Sequence, residues 1–214
     1  TEEVVQEAAA EGMELIVAHH PVMNCKWLPV QTVRMDTPQG RILMELIRSG
    51  ISAICMHTNL DIAEGGVNDC LAQAVGLNVL EPLGADGCGR IGALPEEMAM
   101  DAFLPHVARA LHCSGMRYVS AGKPVRRVAV GGGACWDYHA DALRKKCDTF
   151  LTSDLSYHDF LDAKAMGMNV IDAGHFPTED VVCPKLVSML QSAYPQLNIK
   201  KSTSHREVFQ YFLS

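Results

Sequence analysis

The 214-residue sequence predicts an α/β fold, with parallel or mixed sheets and flanking helices, on three observations. Short apolar runs alternate with segments whose apolar residues recur at helical spacing, the strand-then-helix order of α/β domains. The runs are contiguous, which suits strands covered on both faces. Helix start and stop residues fall at the joins between the two kinds of segment.

Thr1 stands at the N-cap of a first helix whose apolar face includes Val4, Val5 and Ala8, and Gly12 occupies its left-handed end. "MELIVAHH" (13–20) reads as a doubly covered strand. In "TPQGRILMELIRSG" (37–50), Thr37 is the N-cap and Pro38 the first helical residue. Ile42, Leu43, Leu46 and Ile47 form the apolar stripe, and Gly50 is the terminator. Strand "ISAICMH" (51–57), helix "GGVNDCLAQAVGL" (65–77) and strand "NVLEPL" (78–83) follow.

The glycine-rich "GADGCGRIG" (84–92) marks a boundary, giving a first portion over 1–84 and a second over 85–214. Beyond it come strand "RIGAL", helix "AMDAFLPHVARALH" with Pro105 a candidate kink, strands "MRYVSA" and "RRVAVG", and helix "DYHADALRKK". Strand "TFLTSD", helix "YHDFLDAKAMG", strand "NVIDAG" and helix "TEDVVCPKLVSMLQSA" complete the alternation.

Composition excludes several classes. A formal charge of −7 argues against an extended nucleic-acid surface, and the one basic cluster, Arg144–Lys146, suits a helix C-terminus. No apolar run approaches the roughly 18 residues of a membrane span. The acidic start "TEEVVQEAAAEG" is unlike a signal peptide. The eight cysteines, Cys25, Cys55, Cys70, Cys88, Cys113, Cys135, Cys147 and Cys183, contain no C-x-x-C pair and read as reduced structural thiols of a cytoplasmic protein. The chain opens on Thr1 rather than methionine, so a preceding segment is expected.

Ligands of open α/β sheets bind at the carboxyl ends of strands. His19 and His20 end one predicted strand, His57 a second and His175 another, while Asp154 ends the strand at Phe150, with His158 on the next helix. "HTNLD" sets Asp61 four residues after His57, and "HFPTE" sets Glu179 four after His175, so a helical turn would give each pair a common face. Imidazole with carboxylate is ligand chemistry for Zn, Fe, Mn, Co or Ni. His19, His20, Asp61, His175 and Glu179 exceed what one open metal site needs, which points to two divalent transition-metal ions able to activate water and polarise a carbonyl or phosphoryl oxygen. Glu179 is the expected bridge, and His57 either a ligand or a group fixing Asp61. His106, His112, His139 and His205 lack such company and read as helix-surface or loop residues.

"GCGRIG" matches G-x-G-x-x-G, but carboxylates follow it and a strand crosses its end, so it is no dinucleotide fingerprint. "VGGGACWD" (130–137) follows a strand and opens a helix, and reads either as an anion cradle or as a tight turn.

Six blocks in order, "AHHPVM", "HTNLDIAEGGVND", "GCGRIGAL", "VAVGGGACWD", "TSDLSYHDFLDAKAMG" and "IDAGHFPTE", resemble the Nif-three-like dinuclear-metal proteins, known as GTP cyclohydrolase I type 2 homologues. The resemblance implies a two-lobed Nif-three-like subunit, a toroidal homohexamer and a two-metal centre facing its cavity. It implies His19, His20, Asp61, His175 and Glu179 as metal ligands, with His57 and His158 nearby. It also implies several tens of residues before the first helix seen here. The turn "GGGAC" departs from the family's usual Gly-Gly-Ser-Gly type. The family name implies hydrolytic opening of the guanine imidazole ring of GTP, while other members are viewed as partners of regulatory proteins. Two functions follow as expectations. One is a metal-dependent hydrolase of a nucleotide or related small molecule, with His57 or His158 moving a proton. The other is a non-catalytic metal-binding or regulatory hexameric scaffold.

Overall fold

The computed structural model describes residues 1–23 and 33–212, so Cys25 lies outside the described residues. Two compact units divide the chain: Thr1–Leu60 with Lys200–Arg206, and Asp61–Ile199 with Glu207–Ser214.

The first unit contains α1 (Glu2–Ala10), β1 (Leu15–Ala18), α2 (Pro38–Ser49), β2 (Ser52–Cys55) and the start of α3 (Thr58–Ile62). The cap signals act as predicted in α2: the Thr37 hydroxyl accepts from Gly40 N at 3.2 Å, and Gly50 ends the helix at φ 65°. Thr1 holds the N-cap position of α1 without a side-chain capping bond, and Gly12 takes the left-handed conformation. Strands β1 and β2 are parallel, Leu15 opposite Ser52 and Ala18 opposite Cys55. Val5, Ala8, Leu46 and Ile51 form the core, with Ile16 and Ile42 against it.

Two expectations fail in this unit. Strand β1 is not covered on both faces, since Leu15 is 54% exposed whereas Ile16 packs on the core. Its contiguous apolar run therefore hides a one-sided burial. Ile47 leaves the stripe at 69% exposed, because one residue past buried Leu46 turns the side chain by about 100°. Residues 202–204 fasten to α1 through Glu7, whose carboxylate accepts from Ser202 Oγ, Thr203 N at 3.0 Å, Thr203 Oγ1 at 2.7 Å and Ser204 N at 3.4 Å.

The second unit runs α4 (Val67–Ala74), β3 (Asn78–Pro82), β4 (Arg90–Met98), α5 (Met100–Leu111), β5 (Arg117–Val119) and β6 (Val125–Val130). A 3-10 turn at Trp136–Tyr138, α6 (His139–Arg144), β7 (Thr149–Thr152), α7 (Tyr157–Ala165), β8 (Asn169–Asp172), α8 (His175–Asp180) and α9 (Cys183–Ala193) follow. One mixed sheet has the order β3-β4-β6-β7-β8-β5, with β6, β7 and β8 parallel and the remaining neighbours antiparallel. Here contiguous apolar strands do mean two covered faces. Val128, Leu151 and Ile171 join a core with Phe103 and Val107 of α5, whereas the alternate residues Ala129, Phe150 and Val170 join another with Ala142 of α6 and Ala163 of α7.

The glycine-rich stretch is the turn of the β3–β4 hairpin, within this unit, closed by Gly84 N donating to Cys88 O at 2.8 Å. Pro105 lies inside continuous α5. The last predicted helix is two, α8 and α9, with Pro184 in the first turn of α9, where its missing N–H is harmless. Among the described residues no helix is long and apolar enough to cross a membrane, and Cys55, Cys70, Cys88, Cys113, Cys135 and Cys147 are free thiols.

Candidate metal centre

Because β6, β7 and β8 are parallel and adjacent, their carboxyl ends deliver three loops to one edge of the sheet: Gly131–Gly133, Ser153–Asp154 and Gly174–His175. At the third loop Gly174, at φ 90°, turns the chain from β8 directly into α8. Four residues apart on that helix, His175 and Glu179 meet at 3.0 Å between Nε2 and Oε1, the pairing expected from the spacing. The other ring nitrogen, Nδ1, lies 2.6 Å from Asp154 Oδ2. Asp154 reaches it from a left-handed backbone, φ 57°, a conformation that aspartate tolerates better than most side chains. Hydrogen bonding to Glu179 first, with Asp154 adding to it and burial opposing, pushes the His175 pKa up to about 9.

Thr178, Asn68 and Asp172 brace this group. The Thr178 hydroxyl donates back within α8, to Gly174 O or His175 O, both at 2.9 Å, and accepts from Gly133 N at 3.0 Å. Buried Asn68 accepts from Gly132 N at 2.9 Å and donates to Asp61 O at 2.9 Å, tying the Asp61 segment to the glycine turn. Asp172, at the end of β8, accepts from Leu155 N and Gly174 N, each at 3.1 Å, and from Arg117. The loops after β7 and β8 thus share one carboxylate.

The glycine turn is shaped by its neighbours. Gly133 has φ 64°, and a Cβ there would lie 2.4 Å from Glu179 Oε1 and 3.1 Å from His175 Nε2. Four of its amides are committed: Gly131 N donates to Leu151 O at 3.0 Å, Gly132 N to Asn68, Gly133 N to Thr178, and Cys135 N to Thr152 Oγ1 at 3.1 Å. Of the two readings of "VGGGACWD", the tight turn is the one this bonding favours over an anion cradle.

In the first unit, the ends of β1 and β2 bring three imidazoles together. Ring centroids of His19 and His57 are 5.0 Å apart and stacked, those of His19 and His20 4.8 Å apart edge-on, and those of His20 and His57 5.2 Å apart. One ligand nitrogen of His19 lies within 4.8 Å of one of His20. His19 Nδ1 stands 2.7 Å from Met56 O; a carbonyl only accepts, so Nδ1 carries the hydrogen. His158 stands exposed on the first turn of α7, edge-on to Tyr157 with ring centroids 5.8 Å apart. Three of the histidines set aside in the sequence have ordinary duties: His106 bonds Val75 O at 3.1 Å, His139 stacks on Trp136 with centroids 4.6 Å apart, and His112 is the left-handed cap of α5.

These donors fit divalent metal ions. His19 and His175 each have Nδ1 tied to a second partner, a carbonyl and a carboxylate, which fixes ring orientation and leaves Nε2 as the ligand nitrogen, the arrangement typical of metal-binding histidines. On the other side of the ring Glu179 Oε1 lies 3.0 Å from His175 Nε2, so an imidazole nitrogen and a carboxylate oxygen face one point.

Fold and donors thus describe an α/β protein with a candidate His/Glu metal site. A family model described as Duf34/NIF3 (NGG1p interacting factor 3) matches residues 1–207, and the chain belongs to that family, in agreement with the motif resemblance. A GTP cyclohydrolase 1 type 2 homolog of Clostridium perfringens is 34% identical over 186 residues, covering 84% of this chain and 70% of that relative. One from Streptococcus pneumoniae is 31% identical over 199 residues, covering 88% and 73%. Among solved structures, a Bacillus cereus protein related to NIF3 aligns with a TM-score of 0.89 at 26% identity, over 99% of this chain and 87% of its own. The Staphylococcus aureus hypothetical protein SA1388 aligns with a TM-score of 0.89 at 28% identity, over 99% and 84%.

Proposed function

We propose that this protein is a two-metal hydrolase of a nucleotide or related small molecule, holding two divalent transition-metal ions on His19, His20, Asp61, His175 and Glu179, with Glu179 as the bridging carboxylate. The observation that carries this reading is the paired fixing of His19 by Met56 O and His175 by Asp154, which orients two imidazoles as ligands before any ion arrives. Such ions supply Lewis acidity that activates water and polarises a carbonyl or phosphoryl oxygen. His57, stacked on His19 and exposed, is the group proposed to move a proton, with His158 as the alternative. A cytoplasmic homohexamer is the proposed working form.

Elemental analysis paired with turnover of a nucleotide and phosphoester panel tests the reading. Metal-loaded protein should release product, and His20→Ala should abolish release while far-ultraviolet circular dichroism is unchanged. Metal bound at two equivalents with no turnover across the panel would reject the hydrolase. It would favour the second reading, a non-catalytic metal-binding or regulatory scaffold, which draws support from a family description that names an interacting factor. Light scattering in solution tests the hexamer.

A further inference from the structure

In the second unit, two thiols meet where the β3–β4 turn approaches the glycine turn. Antiparallel pairing sets Arg90 opposite Val130, so Cys88, two residues before Arg90, falls level with Gly132, two residues beyond Val130. The turn then folds back. Cys135 Sγ lies 3.3 Å from Gly132 O, and a Cβ on Gly131 would meet Cys135 Cβ at 2.4 Å and Sγ at 2.8 Å. Cys88 and Cys135 belong to one packed cluster. Each is 6% exposed, shielded from bulky reagents yet not sealed.

We propose that Cys88 and Cys135 form a reversible dithiol–disulfide pair, oxidised by hydrogen peroxide or a small organic hydroperoxide, a modification site independent of the hydrolase reading. The Cys88 thiolate attacks the peroxide, forming an S–O bond as the O–O bond breaks, and water, or the alcohol when an organic hydroperoxide is the oxidant, leaves once protonated. Cys88 is then a sulfenic acid. The Cys135 sulfur attacks the Cys88 sulfur, the S–S bond forms, the S–O bond breaks, and the departing oxygen leaves as water with the Cys135 proton. Two thiols have lost two electrons and two protons, and one hydrogen peroxide has become two waters.

The order of attack follows from the local asymmetry. The neighbouring Cys135 thiol, acting against burial, holds the Cys88 thiol below the usual thiol range, whereas Cys88 and burial push Cys135 above it. Cys88 is thus the attacking sulfur and Cys135 the resolving one. The nearby Cys147, in the same cluster, is raised by burial to about 11 and serves as an internal comparison.

Peptide mapping by mass spectrometry of the full chain, alkylated after hydrogen peroxide treatment, provides the test. A Cys88–Cys135 cross-linked peptide is expected, both residues vanishing from the alkylated pool and returning after dithiothreitol, with Cys147 alkylated throughout under denaturant. In Cys135→Ser, Cys88 sulfenic acid trapped by dimedone should rise at least tenfold over wild type; Cys88→Ser should give no cross-link. Cys88 passing to the sulfinic acid in wild type with Cys135 still alkylated would overturn the pair, as would a cross-link through Cys147. Should either serine variant fail to fold, the wild-type map decides alone.

Discussion

Gly133→Ala offers the sharpest perturbation of the candidate site. Two effects are expected, and a second glycine separates them. At φ 64° any Cβ suffers the left-handed penalty, about 1–2 kcal/mol. At Gly133 that Cβ would also stand 2.4 Å from Glu179 Oε1, 3.1 Å from His175 Nε2 and 3.2 Å from His175 Cε1. The carboxylate must move, and its 3.0 Å contact with His175 goes with it. Overpacking of this kind costs about 1–3 kcal/mol. Gly122, in the same unit, has φ 72° with nothing within 4 Å, so Gly122→Ala carries the backbone penalty alone. Urea unfolding of both variants without added metal should place Gly133→Ala about 1–3 kcal/mol below Gly122→Ala, and elemental analysis after metal loading should show less bound metal only in Gly133→Ala. Equal midpoints with equal metal content would refute the reasoning, because the turn would then yield without disturbing Glu179.

Two further outcomes follow from single contacts. Asp154→Asn keeps a side chain that tolerates the left-handed backbone but removes the charge beside His175 Nδ1. Histidine proton resonances followed against pH should show the His175 pKa falling from about 9 toward 6.5, and an unchanged value would remove Asp154 from the site. The hydroxyls of Ser202 and Thr203, followed by the Thr203 amide, lower the Glu7 pKa from 4.5 to about 2. Since the folded value is the lower one, the stabilisation is complete above about 4.5 and is lost as pH falls through 2. Wild type should therefore lose urea resistance across that window relative to its value at neutrality. Glu7→Gln should start lower and change less, and parallel pH profiles of the two proteins would contradict this.

What the sequence revealed divides by the range of the interaction. Thr37, Gly50, Gly12 and the His175–Glu179 spacing were legible because cap, terminator and helical pair act within a turn of chain. The parallel strands β6 to β8 were legible because residues on both faces are apolar. Strand β1 was misjudged for the same reason: an apolar run carries no count of covered faces, and only Ile16 on its core side is packed. The braces of the site were not legible. Asn68 meets Gly132 across 64 residues, and Asp172 meets Arg117 across 55, so neither pairing leaves a local pattern. A buried asparagine on an amphipathic helix and an aspartate ending an apolar strand were the available hints. Asp154 stood at its strand end in the sequence, but its bond to His175 depends on β7 lying beside β8. The break between α8 and α9 was written in Pro184 and lost in an apolar stripe that runs past it.

The first unit is discontinuous, and that has a consequence for anyone dissecting the molecule. A fragment ending at Leu60 would keep His19, His20 and His57 yet lack Ser202, Thr203 and Ser204, leaving the Glu7 carboxylate without the donors that fasten it. Excision of the triple-histidine half therefore calls for two pieces expressed together, or for a permuted gene that joins Lys200–Arg206 to Thr1 through a short linker.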